Sequence, residues 1–271
     1  MWFRLGGGVC GGRGSILRPI PLVRLGRSNT LVIFSDVHVG ANHFRAARFE
    51  EALKWCRDQD ATIYLNGDLL ENSVLDGQHA GLKLMDQATL PTEQIKYLMD
   101  ALGAFAKRNR IAGVTQGNHE ARSGRTALLD LCEVLAHHLG VEYHRIGGYV
   151  RFVAGKETYL GGIQHGRSGA ANIWLELDRY MARLYPLADF VAAGHNHALG
   201  AREVGALGIS SQGCEMLDRR WQIRTGTYLG YADYVRNMGL PPGPVGSPIL
   251  RFAPDKHEMD VDCRTLRWDE L

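Results

Sequence analysis

The chain has no Cys-x-x-Cys pair, and its five cysteines, Cys10, Cys56, Cys132, Cys214 and Cys263, are odd in number and far apart. That spacing argues against a disulfide framework or a thiolate zinc finger and fits a reducing, cytoplasmic setting. No apolar stretch approaches the ~20 residues that a membrane-spanning helix needs. Neither sign of charge is in excess. With 31 basic and 29 acidic residues the formal net charge is +2, so any attraction for a polyanion must be local. Internal repeats and domain linkers are missing as well. At 271 residues, 45% of them hydrophobic, the chain can bury a full core, and a single domain over 31–271 is expected.

Acid is absent from residues 1–30, which instead carry Arg4, Arg13, Arg18, Arg24 and Arg27 beside Gly6-Gly7-Gly8 and Gly11-Gly12. Those glycines weaken any amphipathic helix, so the segment reads as a flexible basic leader with no catalytic role. A targeting segment or a nucleic-acid contact is the other reading.

After the leader, short β-prone runs alternate with helical stripes. Leu31 to Ser35, Thr62 to Asn66 and Ile111 to Thr115 are apolar strands. Between them lie helices over about Phe44 to Arg57 and from Thr92 through Phe105, where Pro91 and Glu93 mark a start. This alternation predicts parallel βαβ units. A helix over about Thr126 to Leu139 follows, then a hairpin of Tyr149 to Val153 and Thr158 to Ile163. Next come a helix over Trp174 to Leu184 and a strand over Asp189 to Ala193. The part from Ala206 to Leu271 is β-rich, with strands over Ala206 to Gln212, Trp221 to Thr227 and Ile249 to Phe252, and Pro241-Pro242-Gly243-Pro244 as a rigid loop. An α/β sandwich of two sheets flanked by helices accommodates both halves.

Each polar cluster of the chain sits where such a strand ends. They are Asp36-Val37-His38, Gly67-Asp68, Gly117-Asn118-His119-Glu120, His165 and Gly194-His195-Asn196-His197. Singly, any of them is a common polar strand end. Together they line one rim of a sheet with oxygen and nitrogen ligands, the pattern of a two-metal hydrolase. A set without thiolate suits manganese, iron or zinc. Asp36 and His38 are two apart, so on an extended strand both would point to one side, and His195 and His197 repeat that spacing. Asp68 can offer two oxygens to two ions, and Asn118 can offer a neutral carbonyl. His119 is better placed to handle a proton than to bind an ion.

In this order and spacing the motifs resemble the calcineurin-like metallophosphoesterase superfamily, over about Leu31 to Gly200. The resemblance implies a four-layer α/β/β/α sandwich. It also implies that Asp36, His38 and His197 hold one ion, that Asn118, His165 and His195 hold the second, and that Asp68 bridges them. Two divalent ions, manganese first, would be the cofactor. A hydroxide bridging the ions would attack phosphorus while His119 protonates or assists the leaving oxygen. An acid three residues after the bridging aspartate often orients that histidine, and here the position is Glu71, longer than the usual Asp.

The subclass is narrowed by what Gly67-Asp68-Leu69-Leu70-Glu71-Asn72-Ser73 lacks. Protein serine/threonine phosphatases of the superfamily carry an arginine in this stretch. Asp36-Val37-His38-Val39-Gly40 looks more like the repair-nuclease and phage or prophage branches. A phosphodiesterase acting on DNA, RNA or a nucleotide is therefore expected, with a phosphomonoesterase as the second reading and a non-catalytic scaffold as the third. Glu120 is left open between a site role and a brace for the helix after it. His43, His79, His137, His138, His144 and His257 read as surface or packed residues, with His43 the one that could reach substrate. Arg122, Arg125 and Arg167 could clamp phosphate but read first as solvated charges. Trp174, Tyr180 and Tyr185 read as core contacts rather than base-stacking platforms.

Overall fold

In a computed structural model, residues 19–74, 87–167, 172–209, 212–230 and 244–263 are described. Pro241, Pro242 and Gly243, expected in a rigid loop, lie outside these residues, as do His79 and Cys10.

Strands β2 (Thr30–Phe34), β3 (Thr62–Asn66) and β4 (Ile111–Thr115) are buried at every position, as continuous apolar runs require when both faces of a sheet are covered. They pair in parallel, and β2 continues antiparallel to β11 (Ile249–Phe252) and through it to β12 (Met259–Asp262). With β5 (Tyr143–His144) at the far edge, the first sheet runs β12-β11-β2-β3-β4-β5. The second sheet is built from β1 (Leu22–Arg24), β6 (Gly148–Ala154), β7 (Glu157–Gln164), β8 (Phe190–Ala193), β9 (Leu199–Ile209) and β10 (Glu215–Thr225), in the order β1-β6-β7-β8-β10-β9.

Alternation along β2 and β3 sorts the side chains between two cores. Val32, Phe34, Ile63 and Leu65 face helices α1 (Ala46–Asp58), α2 (Pro91–Lys107) and α4 (Leu131–Leu139), through Phe49, Leu53, Leu98, Leu102 and Leu135. Leu31, Ile33 and Tyr64 face the other way, onto Val150, Phe152, Tyr159, Phe190 and Ile223 of the second sheet. A smaller cluster of Leu177, Tyr185, Val191 and Ala193 covers the outer face of that sheet with α5 (Leu175–Arg179) and the π-helical turn Tyr180–Leu184. The layers are therefore helix, sheet, sheet and helix. At roughly 1.5–3 kcal/mol for each fully buried large apolar side chain, these interfaces dominate the folding energy.

Four expectations change. Residues 19–30, expected in the flexible leader, are structured: β1 pairs in parallel with β6, Arg151 N–H donates to the Pro21 carbonyl at 2.8 Å, and Gly26 N–H donates to Thr62 Oγ1 at 3.2 Å, while residues 1–18 lie outside the described residues. The helix expected over Thr126 to Leu139 is two. Helix α3 (Glu120–Ala127) stops at Leu128, which is left-handed at φ 53°, and α4 restarts on Asp130, whose side chain accepts the Cys132 and Glu133 N–H groups as an N-cap. The helix expected over Trp174 to Leu184 turns from α to π at Tyr180. Finally, β9 begins at Leu199, well before the expected Ala206, because it pairs along its whole length with β10.

Candidate metal centre

All five motifs leave the carboxyl ends of parallel strands. Asp36 and His38 follow β2, Asp68 follows β3, Asn118 and His119 follow β4, His165 follows β7, and His195 and His197 follow β8. The strand twist and the facing of the two sheets bring these ends to one crevice, the usual ligand position in open parallel sheets.

The route taken by the backbone is not the extended one expected from the spacing. Asp36, His38, Asp68, His195 and His197 have φ of 51°, 53°, 48°, 70° and 57°, all left-handed. Each such non-glycine residue costs on the order of 1–3 kcal/mol, so the surrounding structure must impose it. It does so by hydrogen bonds that carry the β2–β3 ladder into the loops. Asp36 N–H donates to the Gly67 carbonyl at 3.0 Å, His38 N–H to that of Asp68 at 3.0 Å, and Val39 N–H to that of Leu69 at 2.9 Å. Tyr228 N–H and Thr227 Oγ1 both donate to the Asp36 carbonyl, at 3.0 and 2.8 Å. Gly117 permits the closest approach: a Cβ there would lie 2.1 Å from both the nitrogen and Oδ1 of Asp68.

Glu120 resolves as a brace. It is fully buried, with Oε2 accepting the Asp68 and Gly117 N–H groups at 3.1 and 2.9 Å and Oε1 accepting that of Leu70 at 2.9 Å. It therefore ties the β3 loop to the β4 loop. Burial, and then the Asp68 charge, raise its pKa.

The seven candidate ligands come together. His38 Nδ1 lies 3.0 Å from Glu71 Oε2, so a neutral ring carries its proton there and turns a bare Nε2 toward His197 Nε2, 3.3 Å away; Asp36 Oδ1 is 3.5 Å from the same His197 nitrogen. His165 Nδ1 donates to the Asn66 carbonyl at 2.8 Å, which leaves Nε2 facing Asp68 Oδ2 at 3.2 Å and Asn118 Oδ1 at 3.3 Å. His195 Nδ1 is 2.8 Å from that Asn118 oxygen. These short gaps between ring nitrogens and side-chain oxygens are ones that a shared proton or a cation can fill. Asp36, His38 and His197 form one group whose donor atoms lie within 4.8 Å of one another, and Asp68, His165 and His195 form another. These donors fit divalent cations.

The electrostatics of the site carry the same competition. Burial disfavours charge on His165, yet Asp68, and then Asp36, push its pKa up to about 10. Burial would raise the Asp68 carboxyl, but His165, His119 and His38 hold it well below the usual carboxylate range. Burial, reinforced by His38, pushes His197 down to about 4, and burial with His165 lowers His195. Where carboxylates do not hold a proton on the ring, imidazole nitrogen is available to a metal.

His119, Asp68 and His38 form a third group within the same 4.8 Å. Both ring nitrogens of His119 are nevertheless engaged. Nδ1 bonds the Glu71 carbonyl at 2.9 Å, and Nε2 accepts from Arg122 Nη2 at 2.8 Å. Its pKa is raised: burial disfavours the charge, Asp68 and Glu71 outweigh it, and Arg122 works in the opposite direction. The Glu71 carboxylate is closer to His38 Nδ1, at 3.0 Å, than to His119 Nδ1, at 3.5 Å. Burial opposes its ionisation, and the two histidines hold it well below the ordinary range.

Of the arginines expected as solvated charges, Arg122 is the exception. It is packed against His119 and Glu71, with a side chain only 12% exposed. Nothing in its spacing distinguished it from Arg125. Arg167 and His43 are exposed. His144 is packed, its Nδ1 bonded to Tyr64 Oη at 2.8 Å, and Trp174, Tyr180 and Tyr185 pack in the outer core as expected. Cys56 and Cys132 are buried free thiols, and no described helix is long and apolar enough to cross a membrane.

No protein-family model and no curated protein matches the chain. Among solved structures, it is similar to vacuolar protein sorting 29 from Cryptosporidium parvum, at 14% identity and a TM-score of 0.42, covering 88% of this chain and 97% of that one. A calcineurin-like phosphoesterase, YfkN from Bacillus subtilis, is 12% identical with a TM-score of 0.42, covering 86% and 90%. A dimetal phosphatase from Danio rerio is 11% identical with a TM-score of 0.38, covering 86% and 96%. The chain is similar to these three structures over most of its length, at 11–14% identity.

Proposed function

We propose that the chain is a two-metal phosphoesterase of the calcineurin-like superfamily that hydrolyses a phosphodiester of nucleic acid or a nucleotide. The observation that carries this reading is the convergence of ring nitrogens and side-chain oxygens at His38, His197 and Asp36 and at His165, Asp68 and Asn118, across gaps of 3.2–3.5 Å. In the reading, Asp36, His38 and His197 hold one ion, Asn118, His165 and His195 hold the other, and Asp68 is shared. Manganese is the first choice and iron or zinc the alternatives. When bound, such ions supply Lewis acidity toward phosphoryl oxygens and a nucleophile from water at neutral pH.

The protein's own residues then do the rest. Glu71 fixes the His38 tautomer through Nδ1, so that Nε2 faces the crevice. Its backbone carbonyl sets the plane of the His119 ring. Once substrate has displaced the Arg122 contact, His119 Nε2 takes up a proton from water and passes it to the leaving oxygen. The missing guanidinium between Gly67 and Ser73 supports a diester over a phosphoprotein substrate. A reducing, cytoplasmic setting belongs to this reading.

Hydrolysis of bis-p-nitrophenyl phosphate and of p-nitrophenyl phosphate, each with added manganese, tests it. Turnover of the diester is expected. Turnover confined to the monoester would make the protein a phosphomonoesterase, and bound metal with no hydrolysis of either compound or of a nucleic-acid panel would make it a scaffold.

A further inference from the structure

Arg224 of β10 and Glu176 of α5 form an ion pair at 3.1 Å, with side chains only 1% and 8% exposed. Burying two charges is expensive, and apolar residues of similar size serve stability as well or better, so a pair kept in the interior calls for a positional reason. Its hydrogen bonds supply one. Arg224 Nη1 donates to the Gly194 carbonyl at 3.2 Å, directly before His195, while Nε donates to the Ile173 carbonyl at 2.6 Å. Glu176 Oε1 accepts the Arg167 N–H at 2.8 Å, two residues after His165, and also the Tyr180 hydroxyl at 2.8 Å. Gly194 N–H in turn donates to the His165 carbonyl at 2.8 Å. One ion pair therefore grips the two second-sheet loops on which His165 and His195 sit. Between them Gly166, at φ +99°, leaves no slack: a Cβ there would lie 3.2 Å from both Glu176 Oε2 and the Gly194 carbonyl oxygen.

We infer that Arg224 and Glu176 are positioning residues for the second metal position, setting the separation of His165 from His195. This rests on the two-metal reading above. Asp36 and His38 of the first position take their placement from the β2–β3 ladder and from Tyr228, and only its third ligand, His197, lies on the gripped β8 loop, so the pair acts unequally on the two positions.

The test is metal titration of the full chain with manganese, following stoichiometry, the two affinities and the spin-coupled electron paramagnetic resonance signal of a manganese pair. In Arg224→Met, with a circular dichroism spectrum like that of the parent, one ion binds as in the wild type. The second binds at least ~10-fold more weakly, within the range lost when other partners of metal ligands are removed, and the signal becomes that of an isolated ion. Arg224→Lys, which keeps the charge but cannot reach both carbonyls, falls between. Should Arg224→Met fail to fold, Glu176→Gln gives the same readout with the shape of the side chain retained. A folded variant that binds both ions as the wild type does, or loses both equally, overturns the inference and leaves the two-metal reading standing. A wild-type protein that binds no ion overturns both.

Discussion

The two sheets build their halves of the crevice by different means. Loops from the first sheet are held mainly by a continued backbone ladder, β2–β3 running on through Asp36, His38 and Val39, to which the Glu120 carboxylate adds three N–H contacts against the β4 loop. Loops from the second sheet are gripped by side chains, with Arg224 and Glu176 buried behind them. Left-handed residues occur in both halves, so the strain is shared while its supports are not. A sheet whose neighbouring strands all enter the site can extend its own ladder. In the second sheet β8 lies between β7 and β10, its loop turns back toward β9, and an added side-chain clamp does the work.

The largest test of this contrast removes a buried carboxylate in contact with both halves. Asp68 accepts from the His119 N–H and faces His165. Asp68→Ala should abolish turnover and weaken metal binding by more than the ~10–100-fold typical of losing a partner of a ligand. A variant that keeps two ions at wild-type affinity, measured by titration, removes the shared role. His119→Ala should sharpen the distinction between holding metal and using it. Turnover should fall by about 10²–10⁴-fold with both ions retained; intact activity would take the proton-handling role away from His119.

Removing the first-sheet brace with Glu120→Ala leaves three buried N–H groups without an acceptor, at about 1–3 kcal/mol each. A lowered melting temperature and weaker metal binding are expected together. Unchanged thermal unfolding would mean the brace is dispensable.

Proton competition tests the second sheet. With His165 held at about 10 before an ion binds, loading must expel its proton, whereas His197, at about 4, has none to lose. Affinity at the second position should therefore rise with pH, by up to about tenfold per unit for one displaced proton, up to about pH 10. In the ion-free protein the sign is opposite. A pKa raised above the usual 6.5 means that His165 contributes stability fully below that pH and loses it as pH approaches 10. Isothermal titration in buffers of different ionisation enthalpy reads the released proton; an affinity flat with pH contradicts it. The smallest effect is expected far from both halves, on the outer end of the β9–β10 hairpin, where Leu217 is 70% exposed. Leu217→Ser should change stability by no more than about 0.5 kcal/mol and leave metal binding unchanged.

Much of this was legible in the sequence, and unevenly so. The strand ends announced themselves because buried parallel strands are near-continuous apolar runs and each stops at a polar motif. The motifs alone therefore place the side chains on one rim. Their backbone was not legible, since spacing of two was read as extended strand while the chain alternates through left-handed residues at Asp36 and His38. Glu120 stayed ambiguous because its acceptors' partners, Asp68 and Leu70, are remote in sequence. Arg224 and Glu176 gave no signal at all: a lone arginine in a strand and a lone glutamate in a helix look solvated until the fold buries them together. Short edge strands such as β1, β5 and β12 were missed because two to four residues carry too little periodicity to detect.

Anomalous diffraction from crystals grown in saturating manganese tests the central claim most directly. Two peaks about 3.5–4 Å apart are expected, one among Asp36, His38 and His197, the other among Asn118, His165 and His195, with Asp68 between them. A crevice without anomalous density, or ions bound elsewhere while these seven side chains turn away from one another, would contradict it.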